Sequence, residues 1–155
     1  MTSHIAIRCG DKTDRTFIAE LGGRVLGSSV STLRPAPGAL VHDSFVRLLD
    51  IVFSQSHVAL LASVDGKDVG FVLLLDSMPD EVTMLPQAFI AYMAVDSAYE
   101  RQGVATQLVA AAQDEARARG LPYLSLMVTD ENLAARALYE KAGFATERRL
   151  LVKRL

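Results

Sequence analysis

The segment Ala88-Phe89-Ile90-Ala91-Tyr92-Met93-Ala94-Val95 is apolar at odd and even positions alike. Strand side chains alternate between faces, so such a run is stable only where both faces are covered. The chain therefore needs a sheet with helices on each side. Before this run, Leu40, Val41, Phe45, Leu48, Leu49, Val52 and Phe53 recur at helical spacing. Residues 58–64 and 69–75 are apolar, strand-length runs around Asp65-Gly66-Lys67-Asp68, and Asp-Gly supplies the positive φ of a tight hairpin. Residues 5–8 read as a weak strand. Thr13 or Asp14 is expected to cap a short helix carrying Phe17, Ile18 and Leu21, which Gly22-Gly23 would stop. Residues 28–38 and 77–87 read as loops.

After the buried run the order is loop, helix, strand, helix, strand. Residues 104–119 form a helix closed by Gly120 with Pro122 beyond, and residues 123–128 a strand. Residues 132–142 form a helix closed by Gly143, and residues 150–152 lie in a final strand whose open edge suggests a homodimer contact. The expected architecture is α/β, with a mixed, partly parallel central sheet flanked by helices. At 155 residues, with no linker or repeat, residues 1–155 read as a single domain.

Sixteen Lys and Arg against 18 Asp and Glu leave a net charge of −2, which argues against a nucleic-acid partner. Cys9 is the single cysteine, so neither an internal disulfide nor a cysteine zinc site is available, and no metal is expected. No apolar run reaches the ~18 residues of a membrane span, and no signal-peptide core opens the chain. The expectation is a cytoplasmic protein with no membrane partner.

Tyr99-Glu100-Arg101-Gln102-Gly103-Val104-Ala105-Thr106 joins the buried run to the long helix. A helix N-terminus carries unpaired N–H groups and positive potential, which suit a phosphate. Gly103 admits an anion without a Cβ in the way, Ala105 keeps the next turn slim, and Arg101 and Thr106 add a charge and a hydroxyl. The same glycine also suits a plain strand-to-helix turn. Neither the phosphate loop G-x-x-x-x-G-K-[ST] nor the dinucleotide fingerprint G-x-G-x-x-G is present.

Three stretches taken together resemble the GNAT superfamily of acyl-CoA-dependent N-acyltransferases. They are Met93-Ala94-Val95-Asp96, then Glu100-Arg101-Gln102-Gly103-Val104-Ala105, then Asn132-x-x-Ala135-x-x-Leu138-Tyr139-x-x-x-Gly143-Phe144. The resemblance implies a GNAT-type sheet whose buried strand splays from its parallel neighbour. It also implies an acetyl-CoA co-substrate held by Met93, Ala94, Val95, Arg101, Gln102, Gly103, Val104, Ala105, Thr106, Asn132 and Tyr139. Met93 and Val95 would act through their backbones, and an N–H near Met93 would face the reacting carbonyl oxygen. Tyr139 would be the catalytic acid that protonates the departing thiolate. Asn132 and Tyr139, seven residues apart, share a helical face at about 10 Å. Glu100 stands where the family usually has Arg or Gln, so the phosphates would fall to backbone N–H groups and Arg101.

The acceptor implied is a primary amine of a small molecule or peptide, attacked directly. Ribosomal-protein acetyltransferases carry a glutamate base at the position of Met127, which cannot accept a proton. Asp76, Asp80, Glu81, Tyr92 and His42 are the remaining base candidates, with Asp80 and Glu81 placed to line an acceptor groove. A non-catalytic acyl-CoA-binding sensor or interaction module is the alternative.

Overall fold

The computed structural model describes residues 3–155. In chain order the elements are β1 (Ile5–Cys9), α1 (Arg15–Arg24), α2 (Gly38–Ser54), β2 (His57–Val64), β3 (Lys67–Leu75), β4 (Ala88–Val95), α3 (Val104–Ala118), β5 (Leu124–Leu126) and α4 (Leu133–Lys141). The strands form one sheet in the order β1-β2-β3-β4-β5. All neighbours are antiparallel except β4 and β5, which run parallel. The sheet is thus mixed, as expected, and mostly antiparallel. The Asp65-Gly66 turn is there, with φ of 50° and 85°.

Helices cover both faces, which accounts for the continuous apolar run of β4. On one face Val104, Leu108, Ala112 and Ala116 of α3 meet Leu60, Ala62, Val72 and Ile90. On the other, Ile18 and Leu21 of α1 with Phe45, Leu49 and Val52 of α2 cover Leu61, Phe71, Leu73 and Ala94. Each of the larger side chains here contributes about 1.5–3 kcal/mol before chain entropy is set against it.

Three local expectations are corrected and a fourth is refined. Asp14 does hold the N-cap position of α1 but makes no side-chain cap bond to it; the side-chain cap lies one short turn earlier, where the Asp11 carboxylate accepts the Thr13 N–H at 2.7 Å and Asp14 accepts the Asp11 N–H at 2.9 Å. Gly22-Gly23 does not stop α1, which runs on to Arg24. Gly22 is a packing glycine: a Cβ there would run into the Phe45 ring. Strand β5 is three residues long rather than six, and Met127 beyond it is 83% exposed. The final strand is not formed. Leu150 and Leu151 are each 86% exposed with no neighbouring strand to take their hydrogen bonds, so among the described residues this segment is not part of the sheet. Among the described residues, no helix is long and apolar enough to cross a membrane, and no group of three or more His, Cys, Asp or Glu could hold a metal ion.

Candidate active site

The site begins with a parity change in β4. At its start the Ala88 N–H donates to Tyr123 O at 2.9 Å, so even-numbered main-chain groups turn toward β5. At its end the Asp96 N–H donates to Val69 O at 2.7 Å, so even-numbered groups there turn toward β3. Groups on a strand alternate sides, so one residue must have been inserted between. The β3–β4 register places that bulge at Ala91, between the pairs Leu74↔Ile90 and Leu73↔Tyr92. Beyond it the N–H and C=O of Met93 and Val95 point away from β3.

Nothing in the sheet meets them. The β4–β5 pairing covers Ala88↔Leu124, Phe89↔Ser125 and Ile90↔Leu126 and stops. The two strands are joined at one end and separate at the other, which is the splay expected from the resemblance. Ala94 does not share this position. It pairs with Phe71, its main-chain groups face β3, and its side chain is buried.

The chain leaving the open end of β4 makes the glycine turn. Gly103 caps α3 with φ 87°, and Arg101 also takes a left-handed φ of 60°. A Cβ on Gly103 would meet only Ile5 Cδ1 at 4.0 Å, so backbone conformation rather than crowding demands the glycine. No side chain caps this end. The first helical bond runs from the Gln107 N–H to Gly103 O at 3.0 Å, leaving the N–H groups of Val104, Ala105 and Thr106 without helical partners. Val104 is buried in the core and offers only its backbone, whereas Glu100, Arg101, Gln102 and Thr106 are exposed.

On α4, Asn132 is the N-cap, its Oδ1 accepting the Ala135 N–H at 3.2 Å. That use leaves its NH₂ free to donate. Tyr139 is half-buried with its ring edge-on to Phe144 at 5.6 Å, a contact set by the helix closing through the Phe144 N–H to Tyr139 O at 3.0 Å. Burial pushes the phenol above its ordinary pKa, so it is a proton donor at neutral pH.

Two of the proposed bases, Asp80 and Asp76, are already bound by arginines. Asp80 is gripped by Arg148 at 2.7 and 3.0 Å and by the Thr83 N–H and hydroxyl at 2.8 and 2.7 Å. Arg148 first and Thr83 second hold its carboxyl well below the usual range, which makes it a poor base. Its loop, with exposed Glu81, precedes the end of β4 that is still paired with β5. Asp76 is bound to Arg119 at the far end of α3. Tyr92 packs on Phe45 and Phe71, its hydroxyl donates to Gly22 O at 3.4 Å, and burial raises its phenol pKa. His42 is exposed beside a cavity of about 430 Å³ between α1 and α2, lined also by Arg24, Leu26, Val30, Ala36 and Val41. Arg24 reaches Asp96 at the open end of β4, at 3.5 Å.

One cluster was not foreseen: Ser29, Ser31 and Thr32 bind Thr129 and Glu131. Its partners lie about 100 residues apart in the chain, so no local pattern could have indicated it.

Residues 31–144 match the profile of the acetyltransferase (GNAT) family. The [Ribosomal protein bS18]-alanine N-acetyltransferase of Escherichia coli is 44% identical over 68 residues, 43% of this chain and 46% of its own. The chain thus matches less than half the length of the curated relatives. Among solved structures, a putative acetyl transferase from Pyrococcus furiosus superposes with a TM-score of 0.83 at 21% identity, covering 98% of this chain and 100% of its own. A ribosomal-protein-alanine N-acetyltransferase from Brucella melitensis biovar Abortus gives 0.70 at 25% identity, covering 97% and 99%.

Proposed function

The chain belongs to the acetyltransferase (GNAT) family, and from that premise we propose that it transfers an acetyl group from acetyl-CoA to a primary amine of a small molecule or peptide by direct attack. The observation that carries this reading is the separation of β4 from β5 after Ile90. It leaves the Met93 and Val95 main chains unpaired in a gap, followed by the uncapped N-terminus of α3.

The residues present fit the co-substrate. Main-chain groups of Met93 and Val95 suit the amides of its pantetheine arm. The N–H groups of Gln102, Gly103, Val104, Ala105 and Thr106, with the Arg101 side chain, suit its diphosphate. The free NH₂ of Asn132 suits a carbonyl of the arm. Bound there, acetyl-CoA supplies an activated thioester carbonyl. The Met93 N–H donates to the carbonyl oxygen, and such a donor is typically worth about 100–1,000-fold in rate. The Tyr139 hydroxyl passes its proton to the departing sulfur; a phenol held protonated by burial suits that role.

The acceptor is read from what the site lacks. With Asp80 committed to Arg148 and Met127 exposed where a glutamate is expected, the amine must arrive largely neutral or lose its proton through water. An α-amino group, pKa about 8, is roughly a tenth neutral at pH 7, whereas a lysine is neutral less than about one part in a thousand. This favours an α-amino acceptor, and the matched relatives are named for N-acetylation of an alanine of a ribosomal protein.

The second reading, an acyl-CoA-binding module without turnover, draws on the same Met127. A panel of amines with acetyl-CoA, followed by release of the free thiol, separates the two. Acceptor-dependent release supports the enzyme. Binding of acetyl-CoA with no release by any amine supports the module, and no binding at all overturns both.

A further inference from the structure

Loop 28–37 is attached across the molecule by five hydrogen bonds, four of them to one carboxylate. Thr32 N–H donates to both oxygens of Glu131 at 3.0 and 3.1 Å, the Thr32 hydroxyl donates at 3.0 Å and the Ser31 hydroxyl at 2.8 Å. A fifth bond returns from the Thr129 hydroxyl to Ser29 O at 2.8 Å. Among the described residues no Lys or Arg pairs with Glu131, so this is a directional clamp of neutral donors rather than a loose surface ion pair. Those donors, the Thr32 N–H foremost, hold the Glu131 carboxyl below its usual range, and the clamp is therefore made at neutral pH.

The loop has little else to hold it. Its internal bonds are short-range, Arg34 N–H to Ser31 O and Leu33 N–H to the Ser31 hydroxyl, both at 3.1 Å, and Pro35 and Pro37 have no N–H to give. At its start, Ser29 lies by Tyr92 of β4, whose hydroxyl donates to Gly22 O at 3.4 Å. At the clamp it meets the residue before Asn132, the cap of the helix that carries Tyr139. The loop therefore runs from the β4 side to the β5–α4 connection, over the place where those strands part. Its Val30 and Ala36 wall the cavity shared with Arg24 and His42.

We propose that Glu131 is a positioning residue which straps loop 28–37 across the β4–β5 gap and so shapes the acceptor side of the site. The inference rests on the acyl-transfer reading above. Freed of the strap, the loop would cease to wall the cavity beside Arg24 and His42, while the α3 N-terminus and the Met93–Val95 main chain would be untouched.

The test compares the parent chain with Glu131→Ala, Glu131→Gln and the double variant Ser31→Ala/Thr32→Val. The probes are acetyl-CoA and a short peptide with a free N-terminal alanine. Expected for Glu131→Ala is a rise of tenfold or more in KM for the peptide, less than twofold change in acetyl-CoA affinity, and amide exchange at Thr32 faster by tenfold or more. Glu131→Gln keeps an acceptor oxygen and should recover part of the KM. The double variant keeps the carboxylate and should show an intermediate effect, so the idea remains testable if Glu131→Ala folds poorly. Unchanged Thr32 exchange, or faster exchange with unchanged peptide KM, overturns the proposal alone. Loss of peptide and acetyl-CoA affinity in equal measure also overturns it, since that marks a merely structural role. Failure of the parent to bind acetyl-CoA overturns the functional reading, and this proposal with it.

Discussion

A methyl group on Gly70 would stand 3.1 Å from the carbonyl oxygen of Ala94, and 3.2 and 3.3 Å from Leu108 and Val104. The first turns of α3 are thus seated on β3 at the one position where the strand has no side chain. This contact sets how far the glycine turn stands from the splayed end of β4. We expect Gly70→Ala to overpack the seat, at a cost of about 1–3 kcal/mol. Urea denaturation reads that loss. Calorimetry with CoA should show weaker binding than the stability change explains, because α3 must lift to admit the methyl group. Full stability in Gly70→Ala would show that the seat yields freely.

Gly103 offers the complementary case, with open space around its Cα but φ at 87°. A β-branched side chain there is strained whatever room it has, by about 1–3 kcal/mol. Gly103→Val should lower CoA affinity about tenfold or more, by turning the N–H groups at the head of α3 out of register. Unaltered affinity by calorimetry would place the diphosphate site elsewhere.

Removing the Tyr139 hydroxyl leaves its edge-on contact with Phe144 in place. Tyr139→Phe should therefore fold normally and bind acetyl-CoA as the parent does, while kcat falls about 100-fold or more. Because burial raises the phenol pKa above 10, its deprotonation should not limit the parent's rate below about pH 10. A kcat within about threefold of the parent would remove Tyr139 from proton transfer.

The Asp80–Arg148 pair makes an acid-stability prediction. The folded chain holds the Asp80 carboxyl below its unfolded value of 3.8, so the folded state favours the carboxylate. That stabilisation is complete above about pH 4 and declines as pH falls further. Asp14, held down by Arg8, acts in the same direction. Asp80→Asn should show a shallower loss of stability below pH 4 than the parent, read by denaturation at several pH values. It should leave the neutral-pH rate of acetyl transfer unchanged, since Asp80 is not a base. A large drop in that rate would restore it as one.

Much of the arrangement was legible in the chain because its signals are local. Eight consecutive apolar residues in β4 require cover on both faces. Asp65-Gly66 and Gly120 mark backbone that few other residues adopt. The spacing of Asn132, Tyr139 and Gly143 is set by one short helix and its ends. What the chain could not declare depends on groups brought together from afar. Gly22 reads as a helix stop until Phe45 is seen against it. Residues 127–128 and 150–152 have the composition of strands but no partner, and an unpaired strand cannot satisfy its own hydrogen bonds. The parity change at Ala91, which aims Met93 and Val95 into the gap, is visible only against β3 and β5, and the Glu131 strap joins residues 99 and 100 positions apart. Sequence by itself determined which segments are helix, turn and buried strand, since those follow from neighbouring residues. Tertiary structure alone decided which main-chain groups are left unpaired and which carboxylates are already taken, since both are properties of partners distant along the chain.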